Sequence, residues 1–230
     1  EEESPYTSGI AAFDRILGHG LMPGAALLLG GEPVLQRSIS RFVEAVPDIK
    51  VIAVLPARQI PLWKDLCVQY AFNVPHMVVK GGITRYHSVR AALAKVPDGA
   101  LVAIHDGVRP LVPVRMIRDM FAAMEYHRAL VPALPVTDTL KSVDPKEPDP
   151  DRSAFVAVQT PQLFRSEDIR AAYASQGYSL AFTDDASVAC ANGLRADFFP
   201  GEKCNLKITV PEDLVLAELL LSQHRGAPIP

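Results

Sequence analysis

The feature that most restricts this chain is an alternation, from residue 34 onward, of short apolar runs with segments of helical period. VIAVL at 51–55, MVV at 77–79, LVAI at 101–104 and ALVPAL at 129–134 are continuous apolar runs. Strands covered on both faces read this way, whereas a strand with one wet face alternates apolar with polar. Between them, 34–46, 63–72, 88–96 and 116–126 carry apolar residues at helical spacing. Strands and helices in this rhythm form right-handed βαβ crossovers. The expected fold is α/β, a three-layer sandwich around a Rossmann-like, mostly parallel sheet, with 1–230 as one domain. Ligands bind such sheets beyond the carboxyl ends of the strands. Gly81-Gly82, His105-Asp106 and the turn after Leu134 would all lie on that edge.

Residues 135–162 break the rhythm. PVTDTLKSVDPKEPDPDRSAFVAVQTPQ has strand-like arms at 139–143 and 155–159 around a polar, Pro-rich tip at 144–151. This predicts a β-hairpin projecting from the domain. Such a hairpin has few partners of its own and calls for a surface to pack on, often a second subunit. The alternative is a plain surface loop. Further on, 195–199 and 206–209 read as strands. Thr209-Val210-Pro211-Glu212 reads as a capping box with proline in the first turn, opening an apolar helix at 214–221.

Charge and cysteine content narrow the class. The 23 basic and 26 acidic residues give a net charge of −3, which argues against a nucleic-acid binder relying on bulk charge. Cys67, Cys190 and Cys204 form no CxxC pair and read as free thiols in a reducing, cytoplasmic setting. No apolar run approaches the ~18 residues of a membrane span. The acidic Glu1-Glu2-Glu3 opening lacks the basic start of a secretory signal.

Four constellations bear chemistry. Gly81-Gly82 precedes a helix, with Arg85 and Ser88 close behind. Glycines admit close approach of a flat ligand, and free N–H groups bind base or phosphate; a plain turn is the bland alternative. In His105-Asp106-Gly107-Val108-Arg109, a strand delivers a carboxylate and then a guanidinium. Such an Asp holds ribose hydroxyls or a metal ion; the alternative is a local Asp–Arg pair shaping the turn. On the hairpin, Thr139 and Arg152 suit phosphate oxygens, or are simply solvated. Lys207 sits between apolar neighbours and points to the cleft or to solvent. Asp184 and Asp185 read as N-terminal helix charges.

Taken in order, GGITRYHSV, VAIHDGVRP, PVTDTLK, VQTPQLF, FTDDASV and NLKITVPEDLVLAE resemble the 2-C-methyl-D-erythritol 4-phosphate cytidylyltransferases of the non-mevalonate isoprenoid pathway. Each motif alone is loose; the ordered set is specific. The resemblance implies transfer of CMP from CTP to a polyol phosphate, release of pyrophosphate, Mg²⁺, and a homodimer in which the 135–162 arm reaches the neighbour's site. It implies that Gly81, Gly82 and Ser88 contact cytosine, with Arg85 and Arg109 alongside. Asp106 would lie by ribose and metal. Thr139 and Arg152 would hold the acceptor phosphate, and Lys207 would steady the reacting phosphates. Thr160 lies in the matching TPQ segment. Ile83 departs from members that carry an acid there. A cytidylyltransferase for another polyol phosphate, such as ribitol 5-phosphate, and a catalytically dead dimeric CTP-binding module are the alternatives.

Residues 1–33 depart from that pattern. The family carries an Arg-bearing, Gly-rich phosphate loop and then Pro-Lys-Gln; here Pro23 falls on the proline, Gly24 replaces the lysine and Leu17 falls near the arginine. Impaired chemistry is the expectation. TSGIAAFDRILGHGLMPGAALLLGGEP instead resembles the opening of RadA-type, RecA-like ATPase domains. The phosphate-loop register that follows has Gln36 and Arg37 in place of its glycine and lysine, which argues against ATP binding there.

Overall fold

Leu163 and Phe164 are neighbours on one strand and both fully buried, yet they enter different cores. Side chains on a strand alternate faces, so this strand is covered on both sides. The computed structural model describes residues 27–224. The readings made above for residues 1–26 lie outside that range.

The chain opens with a hairpin of β1 (Leu28–Leu29) and β2 (Glu32–Pro33) around Gly30-Gly31. Both glycines have positive φ, +60° and +84°, the left-handed pair a two-residue turn demands. There follow α1 (Val34–Ala45), β3 (Val51–Leu55), α2 (Ile60–Gln69), β4 (His76–Lys80), α3 (Arg85–Leu93), β5 (Leu101–Ile104) and α4 (Val114–Ala123). The second half comprises β6 (Ala129–Pro135), β7 (Val156–Val158), β8 (Gln162–Arg165), α5 (Ser166–Ser175), α6 (Asp185–Ala191), β9 (Asp197–Pro200) and α7 (Pro211–His224).

β3 and β4 pair in parallel, from Val51 opposite His76 to Leu55 opposite Lys80. In the other sheet β8 lies antiparallel between β5 and β6, and β9 pairs with β6 in parallel. β5, β6 and β9 therefore run in one direction and β8 against them. The expected α/β sandwich is present, with a mixed sheet. The reversed strand arises because 159–165 follows the arm back into the sheet without a helical crossover, so it enters from the opposite end. It was not legible as a strand, being four residues long directly after Pro161.

The layers follow from the two faces. On one, α1 and α4 bury Phe42, Met116, Ile117 and Met120 against Leu130 and Leu163. On the other, α3, α5 and α6 bury Tyr86, Leu93, Ile169, Tyr173 and Val188 against Ala129 and Phe164. α2 covers β3 through Trp63 and Leu66. Each fully buried large side chain contributes about 1.5–3 kcal/mol.

Three local expectations are corrected. No strand forms at 139–143; β7 pairs instead with the end of β6, Pro135 opposite Val156 and Ala133 opposite Val158. The intervening segment carries Pro145, Pro148 and Pro150, which cannot donate to a ladder. An ion pair between Lys141 and Asp149 ties it across instead. Residues 206–209 form no strand either: one bond, Ile208 N–H to the Val108 carbonyl at 2.9 Å, fastens them. Finally, the helix cap uses Asp213, not Glu212. Its Oδ2 accepts from Thr209 Oγ1 at 2.7 Å, Thr209 N–H at 2.8 Å and Val210 N–H at 3.0 Å. A carboxylate on the third residue of a helix beginning at Pro211 reaches back to those amides.

Candidate active site

The site is built where β4, β5 and β9 release the chain. β5 ends at Ile104, and the next two residues turn His105 inward and Asp106 to the sheet edge. The backbone of that turn is pinned from β8's approach. Thr160 Oγ1 accepts the Asp106 N–H at 3.0 Å and lies 3.1 Å from His105 Nδ1. His105 Nε2 lies 3.2 Å from the Arg109 carbonyl. A carbonyl only accepts, so Nε2 carries the proton and Nδ1 accepts from the Thr160 hydroxyl. Burial pushes the His105 imidazole down to about 4, so it is neutral near pH 7. It is thus a packed residue with both ring nitrogens engaged.

Asp106 gathers three cations. Its Oδ2 lies 3.2 Å from Lys207 Nζ and 3.5 Å from Arg109 Nε, and its Oδ1 lies 3.4 Å from Arg85 Nε. The carboxylate is 12% exposed. Burial pushes its pKa up, but Arg85, Lys207 and Arg109 together overcome that and hold it well below the usual carboxylate range. It is therefore ionised near neutral pH. Lys207, 39% exposed, is the cation with most access to solvent. Arg109 is more buried and is fixed by donating to the Asn205 carbonyl at 2.7 Å. Asn205, itself fully buried, donates to the Thr160 carbonyl at 2.8 Å. The segment carrying Lys207 is thus bolted to the segment carrying Asp106, which is why a non-strand can hold a cation in place.

Gly81 and Gly82 form the turn after β4. Gly81 N–H donates to Leu55 O at 2.8 Å. Gly82 N–H donates to Ser88 Oγ at 3.1 Å, and that hydroxyl donates to Thr84 O at 3.0 Å. Thr84 caps α3 by accepting from His87 N–H. A Cβ on Gly82 would lie 2.3 Å from His87 Cβ, so no other residue fits. Gly82 is exposed at this turn. The Ser88 hydroxyl, expected from the sequence to reach a ligand, makes both of these bonds within the turn.

The sequence-predicted residues thus separate into two groups. Asp106, Lys207, Arg85 and Arg109 converge, Thr160 lies beneath them, and Gly81, Gly82 and Ser88 form the adjoining turn. Arg152 and Thr139 do not join them within one protomer: both are exposed on the arm, where Arg152 Nη1 donates to Thr137 O at 2.6 Å. Arg37, on α1, pairs with Glu32 of β2 at 3.0 Å, and Glu32-Pro33, within the phosphate-loop register, pair with Leu28-Leu29 as a hairpin. Asp185 was missed. It is fully buried and binds Arg85 Nη2 at 2.6 Å. The FTDDASV motif marked the place, but helix-start acids are usually solvated, and nothing local separates Asp184, which caps α6, from its neighbour.

Cations ringing a carboxylate beside a glycine turn, at the strand ends of an α/β sheet, suit a phosphate-bearing ligand such as a nucleotide. Comparison with known proteins specifies it further. The chain matches the 2-C-methyl-D-erythritol 4-phosphate cytidylyltransferase (IspD) family over residues 18–223. The Porphyromonas gingivalis protein of that name is 46% identical over 213 residues, covering 89% of this chain and 94% of its own. That of Bacteroides thetaiotaomicron is 40% identical over 201 residues, covering 87% and 91%. Among solved structures, the enzyme of that name from Thermus thermophilus superposes with a TM-score of 0.74 at 32% identity, covering 90% of this chain and 96% of that one. The chain belongs to this cytidylyltransferase family.

Proposed function

We propose that this protein transfers CMP from CTP to 2-C-methyl-D-erythritol 4-phosphate and releases pyrophosphate. The observation that carries the reading is the Asp106 cluster, in which Arg85, Arg109 and Lys207 face one ionised carboxylate at the sheet edge. An oxygen of the acceptor phosphate attacks the α-phosphorus of CTP in line. The bond from that phosphorus to the bridging oxygen breaks, and pyrophosphate leaves with the electron pair. No side-chain nucleophile is needed; catalysis is positioning and stabilisation of charge. Lys207, compact and half-exposed, stabilises charge on the reacting phosphates. The Gly81-Gly82 turn takes the cytosine, and Asp106 orients the ribose.

A divalent cation fits this site as an ion carried in with the nucleotide. Among the described residues no group of three or more His, Cys, Asp or Glu side chains is placed to hold a metal alone. Mg²⁺ takes one or two carboxylates and completes its shell with phosphate and water oxygens. Asp106 would be that carboxylate, and the ion would neutralise phosphate charge.

The acceptor phosphate would be held by Thr139 and Arg152 of a second copy of the chain. Two facts support a homodimer through the arm. Neither residue meets the cluster of its own protomer, and the arm's root exposes Phe155, Val156, Val158 and nearby Phe198, apolar surface suited to a partner. The three cysteines are free, in keeping with a cytoplasmic enzyme. Among the described residues no helix is long and apolar enough to cross a membrane.

The test is pyrophosphate release from CTP with methylerythritol phosphate and, separately, with ribitol 5-phosphate. Turnover with the first is expected, slowed by Gly24 and Leu17 and raised by the paired changes Gly24→Lys and Leu17→Arg. Preference for ribitol 5-phosphate, or CTP binding without turnover in both forms, overturns it.

A further inference from the structure

Asp185 opens α6 and is fully buried. Its two oxygens are both used: Oδ2 accepts from Arg85 Nη2 at 2.6 Å and Oδ1 from the Tyr173 hydroxyl at 2.7 Å. Arg85 reaches Asp106 with its other side, Nε to Oδ1, at the longer distance of 3.4 Å. One guanidinium therefore spans two carboxylates, tight on the buried one and loose on the one at the site.

The anchor is itself rigid. Tyr173 stacks on Tyr86 with ring centroids 4.8 Å apart. Gln162 of β8 donates to Asp184 Oδ2 at 2.8 Å and accepts from Ala186 N–H at 2.9 Å, docking the start of α6 on the sheet. A packed hydrophobic pair would hold these elements as well as a buried ion pair does. What an ion pair adds is a fixed place for a charge. Held at its far end, Arg85 does not close on Asp106 as a two-pronged pair, and its hold on Oδ1 stays loose at 3.4 Å.

We propose that Asp185, seconded by Tyr173, is a positioning residue for nucleotidyl transfer: it anchors Arg85 and so sets how firmly Arg85 engages Asp106. This inference rests on the cytidylyltransferase reading above. In Asp185→Asn, Arg85 swings toward Asp106 and competes with the ribose.

The full chain is compared as wild type, Asp185→Asn, Arg85→Gln, the double variant, and Tyr173→Phe. Turnover is measured on each, and on the forms that keep Arg85 the NMR signal of its Nη2 hydrogens, which the bond to Asp185 Oδ2 protects from exchange. Asp185→Asn is expected to lose the protected signal and to lower kcat/KM for CTP about 10-fold or more, with KM for the acceptor unchanged. The double variant is expected to be no worse than the worse single one, because Asp185 acts through Arg85. A loss of thermal stability with unchanged kcat/KM per folded molecule overturns the proposal, as do multiplicative losses in the double variant. An Arg85 signal unchanged in Asp185→Asn overturns it whatever the turnover. If Asp185→Asn does not fold, Tyr173→Phe reads the same coupling; an unchanged signal and unchanged kcat/KM there overturn it. A wild type with the protected signal but no turnover overturns the functional reading, while loss of that signal in Asp185→Asn upholds the anchoring.

Discussion

The Asp106 amide donates to Thr160 Oγ1 at 3.0 Å across 54 residues of chain. Through this bond the strand that returns from the arm holds the turn on which the site's carboxylate stands. Thr160 is 5% exposed, so it supports the site from below. Thr160→Val keeps the volume and orphans the amide, which costs about 1–3 kcal/mol. It is expected to lower kcat/KM about 10-fold, with Thr160→Ser near wild type. Denaturation midpoints and pyrophosphate release check both.

Gly82 is expected to tolerate no side chain. The Cβ of Gly82→Ala would stand 2.3 Å from His87 Cβ and 3.2 Å from the His87 carbonyl carbon, backbone that cannot step aside. The turn must open, and the N–H bond to Ser88 breaks with it. CTP affinity measured by calorimetry should fall about 10-fold or more, a loss of at least ~1.4 kcal/mol. Ser88→Ala, which removes the hydroxyl and its two bonds but adds no bulk, should weaken binding less.

Removing the Lys207 ammonium should be felt in chemistry more than in folding. The side chain is 39% exposed, so Lys207→Ala is expected to shift stability by less than about 1 kcal/mol. Loss of one preorganised charge typically costs about 10²–10³ in kcat. Parallel thermal denaturation and kinetics separate the two effects.

His105 gives stability a defined pH dependence. Burial lowers its pKa from 6.5 in the free side chain to about 4 in the fold. Between those values the unfolded chain takes up a proton that the native one refuses. Stability from this group is therefore complete above about pH 6.5 and drains away as pH falls toward 4, by up to about 3 kcal/mol. His105→Asn should flatten that part of the profile, as urea midpoints at pH 7.5 and 4.5 would read.

If the arm serves the neighbouring protomer, two dead variants should repair each other. Arg152→Ala lacks the acceptor clamp and Lys207→Ala lacks the phosphate cation. In a mixed dimer one of the two sites has both. Equal mixing with subunit exchange should restore about a quarter of wild-type activity; no recovery in confirmed heterodimers would place each site within a single chain.

Much of this protein is legible without coordinates. Unbroken apolar runs such as ALVPAL at 129–134 announce strands covered on two sides, because only a strand with no wet face can be apolar at every position, and Ala129, Leu130 and Val131 are buried. The motifs at Gly81-Gly82, His105-Asp106 and Lys207 follow strand ends or a turn, and the edge they would share comes from the rule that α/β sheets bind ligands at strand termini. The converging charges around Asp106 were each named from the sequence.

Long-range pairing was decided by the tertiary structure. Whether 139–143 pairs with β7 depends on which strand lies beside β7, and there β6 takes up the pairing. Lys207 needs no strand because Asn205, buried 45 residues away from Thr160 in sequence, fastens its backbone. Asp184 and Asp185 are identical letters at adjacent positions: one caps a helix, the other disappears beneath Arg85. Local pattern sets which residues begin a helix. Which of two neighbouring carboxylates meets a guanidinium 100 residues distant depends on how α3, α5 and α6 stack on β8, and that is a property of the assembled core.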